Sequence, residues 1–393
     1  MKALKISFFT LLMVALGLIG MSVIYAPQGF PEGSTTDQRA ALTYYSVGSE
    51  AISLRDDSRG TQVNKEVPAK AGREFSGLVF FPDLESPPKQ QFPLVIYSHG
   101  FSSSHKGGEY LGRYLAGLGF VVAMVDFPLT NMYAEGGPFV RDVVNQPADV
   151  SFLIDVLLDR SQRQNDTLSG LIDSDRIGVM GVSLGGFTST LLAYHPTMGD
   201  PRVDAAISIA GPSSLFTDRF FTSRSLPFMM IAGTFDVLVP YQTNAAPIQT
   251  KSPDAWLVSI EGGAHTAFSG PTAAFRFLNN VDVIGCWAVL RNTQGDLDEP
   301  WYDLLGDESI GIDQQDQPVL CEDPVPNDAM NVVQQQWITQ VAVGAFFEMT
   351  LSRDARKQGV AREFLANTFA SEIAEVQVST PAAHTISALS GGG

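Results

Sequence analysis

Between residues 92 and 263 the chain alternates short apolar runs with longer stretches of helical spacing. "FPLVIYSHG" (92–100) and "FVVAMVDF" (120–127) are continuous and rich in β-branched and aromatic residues, as strands buried on both faces are. "RIGVMGV" (176–182), "VDAAISIAG" (203–211), "LPFMMIAG" (226–233) and "AWLVSIEGG" (255–263) repeat the pattern. Residues 107–119, 143–160 and 184–195 place apolar side chains at helical intervals, and the first of these stops at a glycine. Upstream, residues 43–81 alternate in strand fashion, as in "FSGLVFF". Strand and helix in strict alternation predict an α/β fold: a mostly parallel central sheet with helices on both faces. In such sheets ligands sit at the carboxyl ends of the strands, so the loops after each strand are where chemistry is expected.

Past residue 270 the pattern breaks. Residues 279–328 are rich in Asp, Gly, Pro and Gln and read as an irregular insertion; "VVQQQWITQVAVGAFFEMTL" (332–351) reads as a helix packed back on the sheet. The expected organisation is one domain over 27–378 followed by a flexible tail, 379–393. The N-terminus has Lys2 and Lys5 before an apolar stretch, so residues 1–26 are expected to be an export signal or, uncleaved, a membrane tether. Either reading puts the folded part outside the cytoplasm.

Composition narrows the partners. A chain of 393 residues that is 45% hydrophobic can bury a large core. A net charge of −17 argues against nucleic acid, which requires a basic patch. In an oxidising compartment Cys286 and Cys321 are expected to pair, which in the chain-entropy view stabilises the fold by roughly 4 kcal/mol before strain. With no histidine near them they make a poor metal site, and no metal or cofactor is expected.

The candidate chemistry lies in "GVMGVSLGGF" (178–187). Gly181-Val182-Ser183-Leu184-Gly185 fits G-x-S-x-G with a strand before it and a helix after it. Such a turn lifts the serine above the sheet edge at a helix N-terminus; an incidental serine in a glycine-rich joint is the bland alternative. A serine needs a base. Of five histidines, His99 reads as structural, His195 falls at the far end of its helix and His384 in the tail. His105 could line the cleft, and His265 follows a strand at the correct sheet edge. The base in turn needs an acid. Asp204 opens a strand, and Asp218 and Asp254 lie in connections. Asp236 follows a strand end, giving the order Ser183, Asp236, His265. Acyl transfer also requires oxyanion donors, expected at the backbone N–H groups of Leu184 and Phe101. Phe101, His105, Tyr133 and Phe268 are the expected substrate contacts, whereas Phe127 and Phe187 read as packing.

"SHGF", "DSDRIGVMGVSLGG", "AGTFDVLVP" and "GGAH" resemble the α/β-hydrolase superfamily, in particular its dienelactone-hydrolase-like group, which includes platelet-activating-factor acetylhydrolase-like esterases and cutinase-like polyester hydrolases. The resemblance spans roughly residues 92–268. It implies an α/β-hydrolase fold and a serine hydrolase of carboxylic esters, with Ser183, Asp236 and His265 as triad; the N-terminal segment adds secretion, and the aromatics expected in the cleft favour short- to medium-chain esters. Polyester or lipid-ester hydrolysis and acyl transfer to an alcohol are the alternatives it leaves open. Serine replaces the cysteine of true dienelactone hydrolases. Val182 and Leu184 differ from the aromatic and Met usual in cutinase-like enzymes. The sequence does not fix an oligomeric state.

Overall fold

In the computed structural model, residues 26–85, 90–293, 301–315 and 320–381 are described. Most of the N-terminal segment, the tail from residue 382 with His384, and residues 294–300 and 316–319 of the insertion lie outside them. The described strands are β1 (Ser46–Asp56), β2 (Arg73–Asp83), β3 (Phe92–Ser98), β4 (Val121–Asp126), β5 (Ile172–Val182), β6 (Val203–Ile209), β7 (Phe228–Gly233), β8 (Trp256–Ile260) and β9 (Val376–Ser379). The described α-helices of six residues or more are α1 (Thr35–Ala40), α2 (Glu109–Leu118), α3 (Gln146–Gln162), α4 (Leu184–Tyr194), α5 (Asp282–Thr293), α6 (Val332–Leu351) and α7 (Ala355–Glu363).

The nine strands form one sheet in the order β1-β2-β4-β3-β5-β6-β7-β8-β9. From β4 to β8 all pairs are parallel; β1 and β2 at one edge and β9 at the other run antiparallel. The apolar runs are continuous because both faces are covered. In β3, Leu94 and Ile96 join the core under α3 and α4, while Val95 and Tyr97 join the core under α2 and α6. Helix α6 is buried along nearly its whole length, which explains why it is apolar on every side. At the joint between β3 and β5 the chain order reverses, since β4 lies on one side of β3 and β5 on the other. The carboxyl ends of β3 and β5 are therefore neighbours, with Ser98 paired to Gly181 across the switch point.

The structure revises the reading of the insertion and meets the expected cysteine pairing. The insertion is not irregular throughout: it contains α5 and two 3-10 turns, Trp301–Leu305 and Glu308–Ile310. Its cysteines are joined, Cys286 to Cys321, with the Cα atoms 5.8 Å apart. Val376–Ser379 adds a strand to the edge of β8, so Ser379, the first residue of the expected tail, belongs to the sheet. Among the described residues no helix is long and apolar enough to cross a membrane.

Candidate active site

Ser183 sits between β5 and α4 with φ 57° and ψ −120°, a left-handed conformation that a residue with a Cβ adopts at a cost of order 1–3 kcal/mol. Two glycines make the turn feasible by close approach. A Cβ at Gly181 would fall 2.3 Å from the Gly185 carbonyl, and one at Gly185 would fall 1.9 Å from the Ser98 carbonyl oxygen. The Ser183 N–H is held by the Ile209 carbonyl of β6 at 2.8 Å. From residue 177 to 195 every residue is buried except Ser183, which is half-buried. The turn thus delivers one hydroxyl to a surface from within a solid core. The amides of the first helical turn, Leu184 included, lack carbonyl partners a turn earlier and carry the positive end of the α4 dipole.

Asp236 follows β7 and His265 follows β8, at the same sheet edge as Ser183. The Nδ1–H of His265 donates to Asp236 Oδ2 at 2.7 Å, and both side chains are buried. Asp236 Oδ1 accepts from the N–H groups of Leu238 (3.0 Å) and Val239 (2.7 Å), so its carboxylate is aimed by its own loop. Burial works against charging the His265 ring. The neighbouring Asp236 carboxylate, the hydrogen bond to it and the Asp282 carboxylate outweigh that and hold the ring above its ordinary pKa. Burial also raises the Asp236 carboxyl above the usual carboxylate value, against the pull of His265.

Ser183 and His265 line one cavity of about 620 Å³. Phe101, Met132, Val182, Leu238 and Trp287 contribute apolar wall, and the hydroxyls of Ser102, Ser103 and Ser269 are also on it. Helix α5 forms one side of this cavity through Ile284, Gly285, Ala288, Val289, Arg291 and Asn292. The insertion therefore walls the cleft rather than decorating a distant edge. The loop after β3 lines the cleft next to Ser183, where a Cβ at Gly100 would lie 3.2 Å from the Ser183 Cβ, and meets α5 where Asn292 Nδ2 donates to Ser102 Oγ at 3.2 Å. His99 braces that loop. Its Nε2 accepts the Phe127 N–H at 3.0 Å, so its Nδ1–H donates to the Gly100 carbonyl at 2.8 Å. Full burial holds its pKa below the ordinary value and favours this neutral tautomer.

The structure does not place three of the four expected substrate contacts on this cavity. Phe268 is fully buried in the core beside α6, its carbonyl accepting from the Tyr110 hydroxyl at 3.1 Å. His105 is turned away: its Nδ1–H and its backbone N–H both donate to Asp126 Oδ1 at the end of β4, at 2.9 and 2.7 Å. Tyr133 is 62% exposed and borders a separate groove of about 250 Å³. Only Phe101 lies on the cavity. In each case position in a loop was legible but the direction of the side chain was not. His195 is structural, its Nε2–H donating to the Leu305 carbonyl at 2.7 Å.

One buried side chain at the site, on α5, has no signal in the sequence. Asp282, fully buried at its start, accepts from the backbone of both the Asp236 and His265 loops. A carboxylate that binds main-chain amides has no side-chain partner to betray it, so the sequence offers no signal.

Comparison with known proteins places this geometry. The model of the PETase family, described as PET hydrolase-like, matches residues 35–278, more than half of the chain. Cutinase 1 of Thermobifida cellulosilytica is 25% identical over 195 residues, 49% of this chain and 65% of that protein. A cutinase of Thermobifida fusca is also 25% identical, over 49% of this chain and 57% of its own length. A bis(hydroxyethyl) terephthalate hydrolase of Streptomyces coelicolor is 28% identical over 183 residues, 46% of this chain and 50% of that enzyme. The chain thus spans less than two thirds of each of these relatives. A solved ferulic acid esterase from Streptomyces cinnamoneus superposes with a TM-score of 0.49 and 19% identity, covering 79% of this chain and 91% of that one. With its α/β-hydrolase sheet and a family match that runs from α1 to the turn after His265, the chain belongs to the PET hydrolase-like family.

Proposed function

We propose that the protein is an exported serine hydrolase of carboxylic esters that works through an acyl-enzyme. The observation that carries this reading is the strained Ser183, placed on the same cavity as a His265 ring whose other nitrogen is bonded to buried Asp236. His265 Nε2 takes the proton of Ser183 Oγ as the oxygen attacks the ester carbonyl. The N–H groups of Leu184 and Phe101 hold the resulting oxyanion, each such donor being worth about 3 kcal/mol in the transition state. The imidazolium then protonates the leaving alcohol. Water, deprotonated by the same ring, attacks the acyl carbonyl and releases the acid and Ser183. Asp236 keeps Nδ1 protonated and supports the charge that develops on the ring. Export is supported by the Cys286–Cys321 bond, since disulfides persist in oxidising compartments.

The substrate class we infer is short- to medium-chain esters with an apolar acyl part. A second reading, attack on polyester chains, is favoured by the family match and by the rim of the cavity, where Met132 (52%) and Trp287 (62%) stand exposed. A flat aromatic repeat can lie against such side chains. One panel decides: p-nitrophenyl esters of increasing acyl length, a phospholipid and a polyester film, each with the wild type and Ser183→Ala. Turnover on the soluble esters should fall by several orders of magnitude in the variant. Esterase activity that survives Ser183→Ala would refute the nucleophile assignment, and products released from the film would establish the second reading.

A further inference from the structure

Helix α5 touches the two loops that carry Asp236 and His265, and it does so with a buried carboxylate. Asp282 Oδ1 accepts the Thr266 N–H at 2.7 Å. Its Oδ2 accepts the His265 N–H at 3.0 Å and, at the long distance of 3.4 Å, the Val237 N–H. These three donors belong to the acid and base loops, not to α5, so the carboxylate is not simply capping its own helix. Val237 is gripped from its other side as well: its carbonyl accepts the Cys321 N–H at 2.8 Å. The disulfide from Cys321 returns to Cys286, one turn after Asp282. Between them, Gly285 lets the helix lie directly on the base loop, since a Cβ there would come 2.0 Å from Thr266 Oγ1. The start of α5 is anchored too, by the Asp282 N–H donating to Asn280 Oδ1 at 2.9 Å.

We propose that Asp282 is a positioning residue for acyl transfer: it ties the Asp236 loop and the His265 loop to one disulfide-pinned helix and thereby fixes the acid and the base relative to each other. This rests on the reading of Ser183, Asp236 and His265 given above. The fold already sets the strand ends from which the two loops spring, but not the loops themselves. A single group bonded to both removes that freedom, and geometry at this level governs turnover steeply. Asp282 also bears electrostatically on the base. The carboxylates acting on the His265 ring are Asp236, from the loop after β7, and Asp282; Arg291, farther along α5, lines the cavity.

The test is Asp282→Asn, which keeps size but loses the charge and offers an N–H where two backbone N–H groups converge. Active sites are first counted by phosphonate labelling of Ser183, so that kcat is expressed per reactive serine. We expect kcat on p-nitrophenyl butyrate to fall about tenfold to a hundredfold with KM unchanged. The acid limb of kcat/KM should move to lower pH, because a negative charge beside His265 has been removed. A purely architectural Asp282 would lower Tm and leave both readings at wild-type values per labelled site, which overturns the proposal. Gly285→Ala is the second variant, lifting α5 from Thr266 without touching a carboxylate. It should lower kcat in the same sense; if Asp282→Asn does not fold, wild-type kcat in Gly285→Ala overturns the proposal on its own. Failure of the underlying reading looks different: Ser183 would not label, or Ser183→Ala would remain active.

Discussion

His265 and Asp236 share a hydrogen bond of 2.7 Å between buried side chains, and this sets opposite pH dependences for activity and stability. The ring has a folded pKa raised above its ordinary value by Asp236 and Asp282 in spite of burial. A raised histidine stabilises the folded state in its charged form. That contribution is complete below the unfolded pKa of about 6.5 and is lost as pH rises through the folded value. A general base must be neutral, so kcat/KM should climb across the same window. The Tm difference between wild type and His265→Gln should therefore shrink as pH rises from about 6.5, while wild-type kcat/KM grows. Parallel movement of the two would argue against His265 as base. Asp236→Asn should lower kcat by a factor on the order of 10⁴ and shift the acid limb to lower pH, since the amide no longer favours the imidazolium or enforces the tautomer. Much of this constellation was legible from chain order and sheet edge alone. Asp282 was not, because what it recognises is backbone.

At the scale of elements, legibility followed burial. The parallel strands stood out as unbroken apolar runs because two helical layers cover them, and α4 was marked by the glycines that start it. Helix α5 lies in the segment whose Asp, Gly, Pro and Gln content reads as irregular, and its apolar stripe faces outward: Val283, Trp287 and Leu290, spaced i, i+4 and i+7, are exposed while Cys286 is buried. Strand β9 is only four residues long and pairs on one side, too brief for alternation to show. Three of the expected substrate contacts lie off the cavity for a related reason, since a loop aromatic such as Phe268 can turn into the core as readily as into the cleft. The elbow itself gives a firm prediction. Gly185→Ala places a methyl 1.9 Å from the Ser98 carbonyl oxygen, and backbone cannot swing aside as a flexible side chain would. The joint between β5 and α4 must open, at a cost of about 3 kcal/mol. Urea unfolding should show a lower midpoint at unchanged slope, together with loss of phosphonate labelling at Ser183. An unchanged midpoint would mean that the helix can start elsewhere than the structure indicates.

For the whole molecule the governing number is the net charge of −17, with 42 acidic against 25 basic side chains. A field of that size extends about 30 Å at 10 mM salt and about 8 Å at 150 mM. Among the described residues the cavity wall carries Arg291 and no carboxylate, so the acidity lies elsewhere on the described surface. A small neutral ester feels little of this field, whereas a particle bearing many carboxylates must bring its charge close to an acidic surface before one ester bond can enter the cleft. The rate on carboxylate-bearing polyester particles should thus rise between 10 and about 150 mM salt, while the rate on a soluble neutral ester stays flat. Flat behaviour on both would place the deciding charge locally, with Arg291 offsetting the rest of the surface at the mouth. A rate that falls with salt on the anionic particles would point to attraction by that arginine, and Arg291→Gln should then abolish the fall.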